Sequence, residues 1–199
     1  RVASRGLGDV YKRQVLATGP DPAAVKRFGG FDLPQRSTPG VIVVTRPVKP
    51  VLRGILVAPG IHIHQRMDGR LVIGEQDGAP DTAAHAARLV ERPKRFPIDS
   101  VADQHAQRLL APTRDYLPSI GDVEVDEVII GWRPLPVDGH PVIGPSPEDD
   151  RVYVAIMHSG VSLAAITGDL VARELANGVE MALLQPCRAN RVFDTKNRY

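Results

Sequence analysis

The chain has 199 residues, 24% charged and 43% hydrophobic, with a formal net charge of +2. That length suits one good-sized domain or one and a half small ones, and it can bury a real core. The even charge balance, with basic residues scattered and not interleaved with aromatics, argues against nucleic acid or anionic membrane as a partner. The lone Cys187 can make neither an internal disulfide nor a cysteine-type zinc site, so a reducing, cytoplasmic setting is expected. No apolar run approaches the roughly 18 residues that a membrane span needs.

Arg1–Gln14 is polar and basic, with no apolar centre for a secretory signal. Its GLGDVYKRQ stretch resembles translated sequencing adapter, and residues 1–14 are expected to be foreign to the natural protein. Val15 to Pro20 reads as the end of a short buried strand running into a loop. Asp21 to Gly30 suits a short helix, with Pro22 in its first turn and Gly29-Gly30 at its end. The β-branched run from Gly40 to Val48 predicts a strand, and Ile55 to Ala58 is a second short apolar run. In IHIHQRMDGRLVIGEQ, Ile61 and Ile63 alternate with His62 and His64, and Leu71 and Ile73 follow Asp68-Gly69. This pattern predicts a β-hairpin closed by a type I′ turn at Asp-Gly.

Pro80 to Arg92 is Ala-rich and predicts a helix with Asp81 as N-cap. A second helix is expected over Asp99 to Tyr116, its apolar stripe being Val101, Leu109, Leu110, Tyr116 and Leu117, with Pro112 kinking or shortening it. Val123 to Trp132 and Val152 to Met157 are expected strands, with a tight turn at Asp138-Gly139. His158-Ser159-Gly160 reads as a sharp turn into a helix ending at Asn177-Gly178. Beyond Gly178 the chain shows little periodicity and reads as a tail.

Three segments carry candidate chemistry. In VYVAIMHSGVSLAAITG a buried strand turns into a helix whose first turn holds small residues. The unpartnered N–H groups of a helix start, with the dipole, suit the anionic edge of a ligand; plain strand–turn–helix packing is the alternative. In GWRPLPVDGHPVIGP, Arg133 ends a buried strand between rigid turns, where a guanidinium can clamp a carboxylate. The alternatives are that it reaches solvent or pairs with Asp138. VLATGP is, alone, only a strand end and a turn.

Together, in this order, the segments resemble the D-amino-acid oxidase family of flavoproteins, which includes glycine and sarcosine oxidases. The resemblance rests on Ala17-Thr18-Gly19, Asp68 to Gly74, Gly131-Trp132-Arg133-Pro134, Asp138 to Gly144 and His158 to Val161, and covers roughly Val15 to Gly178. It implies an α+β chain: an antiparallel substrate-domain sheet with helices, plus the C-terminal strand–helix part of a Rossmann-like FAD-binding domain whose N-terminal part is missing. The implied division is 15–34 and 133–178 for the FAD-binding domain, 35–132 for the substrate domain and 179–199 for the tail.

The resemblance implies FAD as cofactor and an amino acid or amine as substrate, oxidised at its C–N bond by hydride transfer. Arg133 would bind the substrate carboxylate and border the flavin. His158, Ser159, Gly160, Val161, Ser162 and Leu163 would wrap the pyrimidine end of the ring, and Ala17, Thr18 and Gly19 would line FAD near its diphosphate. No general base is implied. Two departures stand out: Met157 replaces the glycine usual before the histidine, and no G-x-G-x-x-G follows a strand. This stretch alone is therefore expected to bind FAD weakly or not at all and to be inactive.

His62 and His64 share one strand face; a polar surface or a wall of the substrate pocket is expected there, and no metal site, since no third ligand is evident. His85 and His105 are expected to be solvated, and His140 to cap its turn. A homo-oligomer or a heteromeric oxidase subunit would both fit the resemblance. The competing reading is a non-catalytic binding or subunit module that keeps the fold without flavin chemistry.

Overall fold

The computed structural model describes residues 13–76 and 94–193. The chain divides into two compact units, one formed by residues 1–37 and 133–199, the other by residues 38–132. The helix expected over residues 80–92, with His85, lies outside the described residues.

The unit of residues 38–132 is built on a five-stranded sheet. Its strands are β2 (Gln35–Pro47), β3 (Leu56–Ala58), β4 (Ile61–Gln65), β5 (Arg70–Glu75) and β6 (Val125–Pro136), in the order β3-β4-β5-β2-β6. The β4–β5 hairpin has the expected alternation: Ile61, Ile63, Leu71 and Ile73 are fully buried. Its turn differs from the expected type I′. Only Gly69 has positive φ, at +88°, and Gly69 N donates to Arg66 O at 3.0 Å. The loop spans Arg66–Gly69, so Asp68 avoids the left-handed conformation that a two-residue turn would impose on it. Helix α2 (Asp99–Tyr116) covers the buried face with Ala106, Leu109, Leu110 and Thr113. It has the expected bounds, so Pro112, expected to kink or shorten it, does not shorten it; Leu109, Leu110 and Thr113 flank the proline and are buried. Tyr116, expected in the stripe, is exposed. His105, expected to be solvated, stacks on Phe96 with centroids 4.6 Å apart.

The other unit holds a three-stranded sheet in the order β1-β8-β7, from β1 (Gln14–Leu16), β7 (Val142–Pro145) and β8 (Val152–Ile156). Strand β1 runs parallel to β8, with Leu16 opposite Val154. Strand β7 runs antiparallel, with Val142 opposite Ile156. Helix α1 (Pro22–Gly29) forms as its caps dictate: Asp21 Oδ1 accepts from Ala24 N at 3.2 Å, and Gly30 closes it at φ +80°. Helix α3 (Ala164–Asn177) ends on Gly178.

Of the segment after Gly178, expected to be a tail, residues 179–193 are described, and they are built into this unit. Residues Ala182–Cys187 form a 3₁₀ helix that buries Leu184. Arg188 then makes an ion pair with Glu174, donating from Nη2 to Oε1 at 2.5 Å and from Nη1 to Oε2 at 2.9 Å. The Tyr153 hydroxyl also donates to Glu174. No helix among the described residues is long and apolar enough to cross a membrane.

Candidate functional site

In the three-stranded sheet, the parallel register of β1 and β8 sends both strands off the same edge. Ala17-Thr18-Gly19 leaves one and Met157-His158-Ser159 the other. In open α/β sheets, the crevice at the carboxyl ends of parallel strands is where ligands bind. The Ala17–Gly19 turn is pinned from within: Gly19 adopts φ +59°, its carbonyl accepts from Gln35 Nε2 at 3.1 Å, and Thr18 Oγ1 donates to Asp21 O at 3.3 Å. A Cβ built on Gly19 meets nothing within 4 Å, so the turn borders open space.

Following β8, the chain makes a turn over residues 158–163 before α3 begins. The helix starts at Ala164, later than the sequence pattern suggests. Leu163 N donates to Ser159 O at 3.0 Å, and Ser159 holds a left-handed φ of +55°, the one described non-glycine residue with positive φ. Such a conformation costs roughly 1–2 kcal/mol and gathers at functional sites. Ser159 through Ile166 are all exposed, including the apolar Val161 at 95%, Leu163 at 37% and Ile166 at 51%.

The two helix starts of this unit differ. Asp21 caps α1, whereas no side chain caps α3. Within the first turn of α3, Ala164 N is taken by Val161 O at 3.4 Å, and it is the next amides, Ala165 and Ile166, that with the helix dipole suit an anionic partner. Met157, in place of the usual glycine, turns inward: it is buried among Tyr153, Leu170 and Val171, and Thr167 Oγ1 lies 3.6 Å from its Sδ. Its Cγ lies 3.7 Å from where a Cβ on Gly160 would stand, so it packs under the turn and leaves the outer face of the turn exposed.

Arg133, on β6, reaches this edge. Its positive charge acts on His158, whose pKa is held below the usual histidine range by burial first and by Arg133 second. The imidazole is therefore neutral at neutral pH, and its Nδ1 lies 3.1 Å from Ser159 Oγ. Asp138, the alternative partner for Arg133, is taken by another arginine. Both of its carboxylate oxygens accept from Arg191, at 2.8 and 2.9 Å. His140 joins its turn through the backbone, its N–H donating to Asp138 Oδ1 at 3.1 Å.

One edge of one unit thus gathers Ala17, Thr18, Gly19, Arg133 and His158 through Leu163. An exposed apolar turn, an uncapped helix start and a neighbouring guanidinium fit the ring end of a flavin, which is flat and carries its negative charge at one edge. His62 and His64 belong to the other unit, on the sheet face away from its core. The His62 ring lies over Gly74, where any Cβ would run into it. His64 lines an open cavity with Arg53, Ile55, Arg66 and Met67. No cluster of three or more metal-ligating side chains occurs among the described residues. Burial pushes the Cys187 thiol up. Sequence reasoning misses Arg191 and Arg188, which lie in a stretch without periodicity. The one available signal is the repeated arginine after the 3₁₀ segment.

Comparison with known proteins gives one family, described as FAD dependent oxidoreductase, over residues 1–174. Among curated relatives, glycine oxidase of Bacillus licheniformis is 34% identical over 43% of this chain and 24% of its own length. A subunit of opine oxidase from Agrobacterium tumefaciens is 26% identical over 84% of this chain and 40% of its own. The chain thus spans well under half the length of these relatives. Among solved structures, glycine oxidase from Bacillus cereus superposes with a TM-score of 0.68 at 22% identity, over 92% of this chain and 47% of that one. Glycine oxidase from Geobacillus kaustophilus gives 0.62 at 26%, over 92% and 46%.

Proposed function

We propose a reaction for this chain, which belongs to the FAD dependent oxidoreductase family: oxidation of the C–N bond of an amino acid or amine. The observation that carries this reading is the exposed turn and uncapped start of α3 after β8, with Arg133 near enough for its charge to act on His158. When bound, FAD supplies the acceptor for the hydride that leaves the carbon next to nitrogen. The substrate nitrogen gives up a proton, the C–N bond becomes C=N, and water hydrolyses the imine to a carbonyl and ammonia, or an amine where the nitrogen carries a second substituent. Arg133 binds the substrate carboxylate through two parallel hydrogen bonds and so orients that carbon. The amides and dipole of the α3 start hold the anionic edge of the cofactor ring. His158, kept neutral, adds no charge that would compete with Arg133 for the carboxylate. Ala17, Thr18 and Gly19 border the cofactor toward its diphosphate.

Glycine is the first substrate to try, since curated relatives carry the name glycine oxidase. Replacing Arg133 by Ala in the intact holoenzyme is expected to cost ~2–5 kcal/mol of substrate binding, the scale for losing one partner of a desolvated charge pair. That is a rise in KM from tens-fold to thousands-fold. An unchanged KM would remove Arg133 from the carboxylate site. The relatives that are subunits of opine oxidases favour a second feature of the proposal, assembly with a different subunit. Size analysis of the protein purified from its own source checks this.

A further inference from the structure

Arg191 stands in the C-terminal stretch that carries no chemical motif, yet its guanidinium is fully engaged. Nε and Nη2 donate to the two carboxylate oxygens of Asp138 at 2.8 and 2.9 Å. Nη2 also donates to His140 O at 3.1 Å, and Nη1 to Cys187 O and Arg188 O, each at 3.0 Å. The group lies over the Phe193 ring, 4.4 Å from its centroid. Only 13% of the Arg191 side chain and 5% of Asp138 is exposed. A planar fork that spends every donor in this way has one geometry available to it.

What the pair holds is the turn between β6 and β7. Asp138 Oδ1 also accepts from His140 N, Gly139 turns at φ +75°, and Gly139 N donates to Pro136 O at 2.8 Å. Upstream, Arg133 is joined to this turn by Pro134-Leu135-Pro136-Val137. The two prolines have fixed φ and transmit the position of the turn to the strand. Val137 N adds a bond to Pro34 O at 3.0 Å. Downstream, Val142 pairs with Ile156, two residues before His158. The turn therefore lies between the strand that presents Arg133 and the strands that present His158.

We infer that Arg191, by fixing Asp138, is a positioning residue that sets where Arg133 stands relative to His158. This rests on the reading of Arg133 as the carboxylate clamp. Arg191 itself touches no substrate. Its effect is on the placement of a group for which an error of about 1 Å costs on the order of 100-fold.

The test uses the intact holoenzyme and acetate, a probe with nothing but a carboxylate to recognise. Acetate Kd by calorimetry, KM and kcat for glycine, and Tm are measured for four variants. Arg191→Lys keeps the charge and loses the fork. Asp138→Asn loses the charge from the other side. Leu184→Ala removes a buried side chain from the same C-terminal segment, and Arg133→Ala gives the loss of the clamp itself. Arg191→Lys and Asp138→Asn are each expected to raise acetate Kd and KM on the order of 10-fold with little change in kcat. The double variant is expected to be no worse than either single one, because both act through one pair. Leu184→Ala is expected to lower Tm while leaving acetate Kd at the wild-type value. If Arg191→Lys and Asp138→Asn lower Tm but leave acetate Kd and KM unchanged while Arg133→Ala is deficient, the pair is only a structural brace and the inference is overturned. If Arg133→Ala itself binds acetate normally, the clamp reading fails and takes this inference with it.

Discussion

The two units of this chain hold themselves together by different means. In the unit of residues 38–132, a hairpin and a following helix bury Ile61, Ile63, Leu71, Ile73, Leu109 and Leu110 in one apolar cluster. Its buried carboxylate, Glu75, pairs with Arg108, which remains 40% exposed. The other unit joins the two ends of the chain, and it has two smaller apolar clusters. Across them run two ion pairs that are nearly removed from water, Glu174 with Arg188 and Asp138 with Arg191. Apolar burial is non-directional and tolerates small displacements, whereas a buried bidentate pair enforces one arrangement when every lone pair and proton is satisfied. The more charged construction is found in the unit that carries Arg133, His158 and the exposed turn.

Breaking each construction at its centre sharpens this contrast. Glu174→Ala leaves Arg188 buried without its partner and is expected to destabilise by ~3–5 kcal/mol, read from urea unfolding. Replacing Glu174 and Arg188 together by Leu and Met is expected to be close to neutral, since no buried charge is stranded. A cost below about 1 kcal/mol for Glu174→Ala would rank the pair with surface bridges and void the contrast. Leu109→Ala in the other unit removes a side chain 1% exposed, and a loss of ~2–5 kcal/mol is expected from transfer and cavity terms together. Because no ionisable group is involved, that loss should be the same across mild acid and neutral pH. A strong pH dependence of the Leu109→Ala penalty would show that its surroundings are more polar than the cluster indicates.

The same contrast explains what can be read from the sequence. The β4–β5 hairpin and α1 are legible because their signals are local: alternation around Asp68-Gly69, an Asp21 cap and a Gly30 stop. Where tertiary packing decides, local rules fall short. Strand β2 begins at Gln35, five residues before the β-branched run, whereas α2 keeps its expected bounds through Pro112, with the side chains that flank the proline buried. The Arg66–Gly69 turn departs from expectation because Asp-Gly alone does not show which residues take positive φ. At the site, Arg133 and His158 stand out through a joint motif. The partners that organise the region do not: Asp138 and Arg191 are 53 residues apart in sequence, and nothing local in ANRVF announces a fully engaged guanidinium. The left-handed Ser159 is equally silent, since its φ follows from the turn that β8 and α3 together require.

The smallest expected effect, and the one most diagnostic of the charged construction, is its response to acid. Burial disfavours the Glu174 anion, but hydrogen bonds from Arg188, Tyr153 and the Met181 amide outweigh it, and its pKa falls from 4.5 to about 2. A carboxyl with a depressed folded pKa binds its proton more readily when unfolded. Its stabilisation is therefore complete above the unfolded value and is lost as pH falls from 4.5 toward about 2. Asp138 is depressed as well: burial opposes its ionisation, and the Arg191 hydrogen bonds overcome it, so wild-type Tm alone would mix the two contributions. The difference in Tm between wild type and Glu174→Gln isolates the first. It should be widest at neutral pH, narrow through that acid window and vanish once both forms carry an uncharged side chain. A difference that stays constant down to that limit would mean that Glu174 contributes shape and hydrogen bonding, with its charge immaterial. The unit would then be held by packing much as its neighbour is.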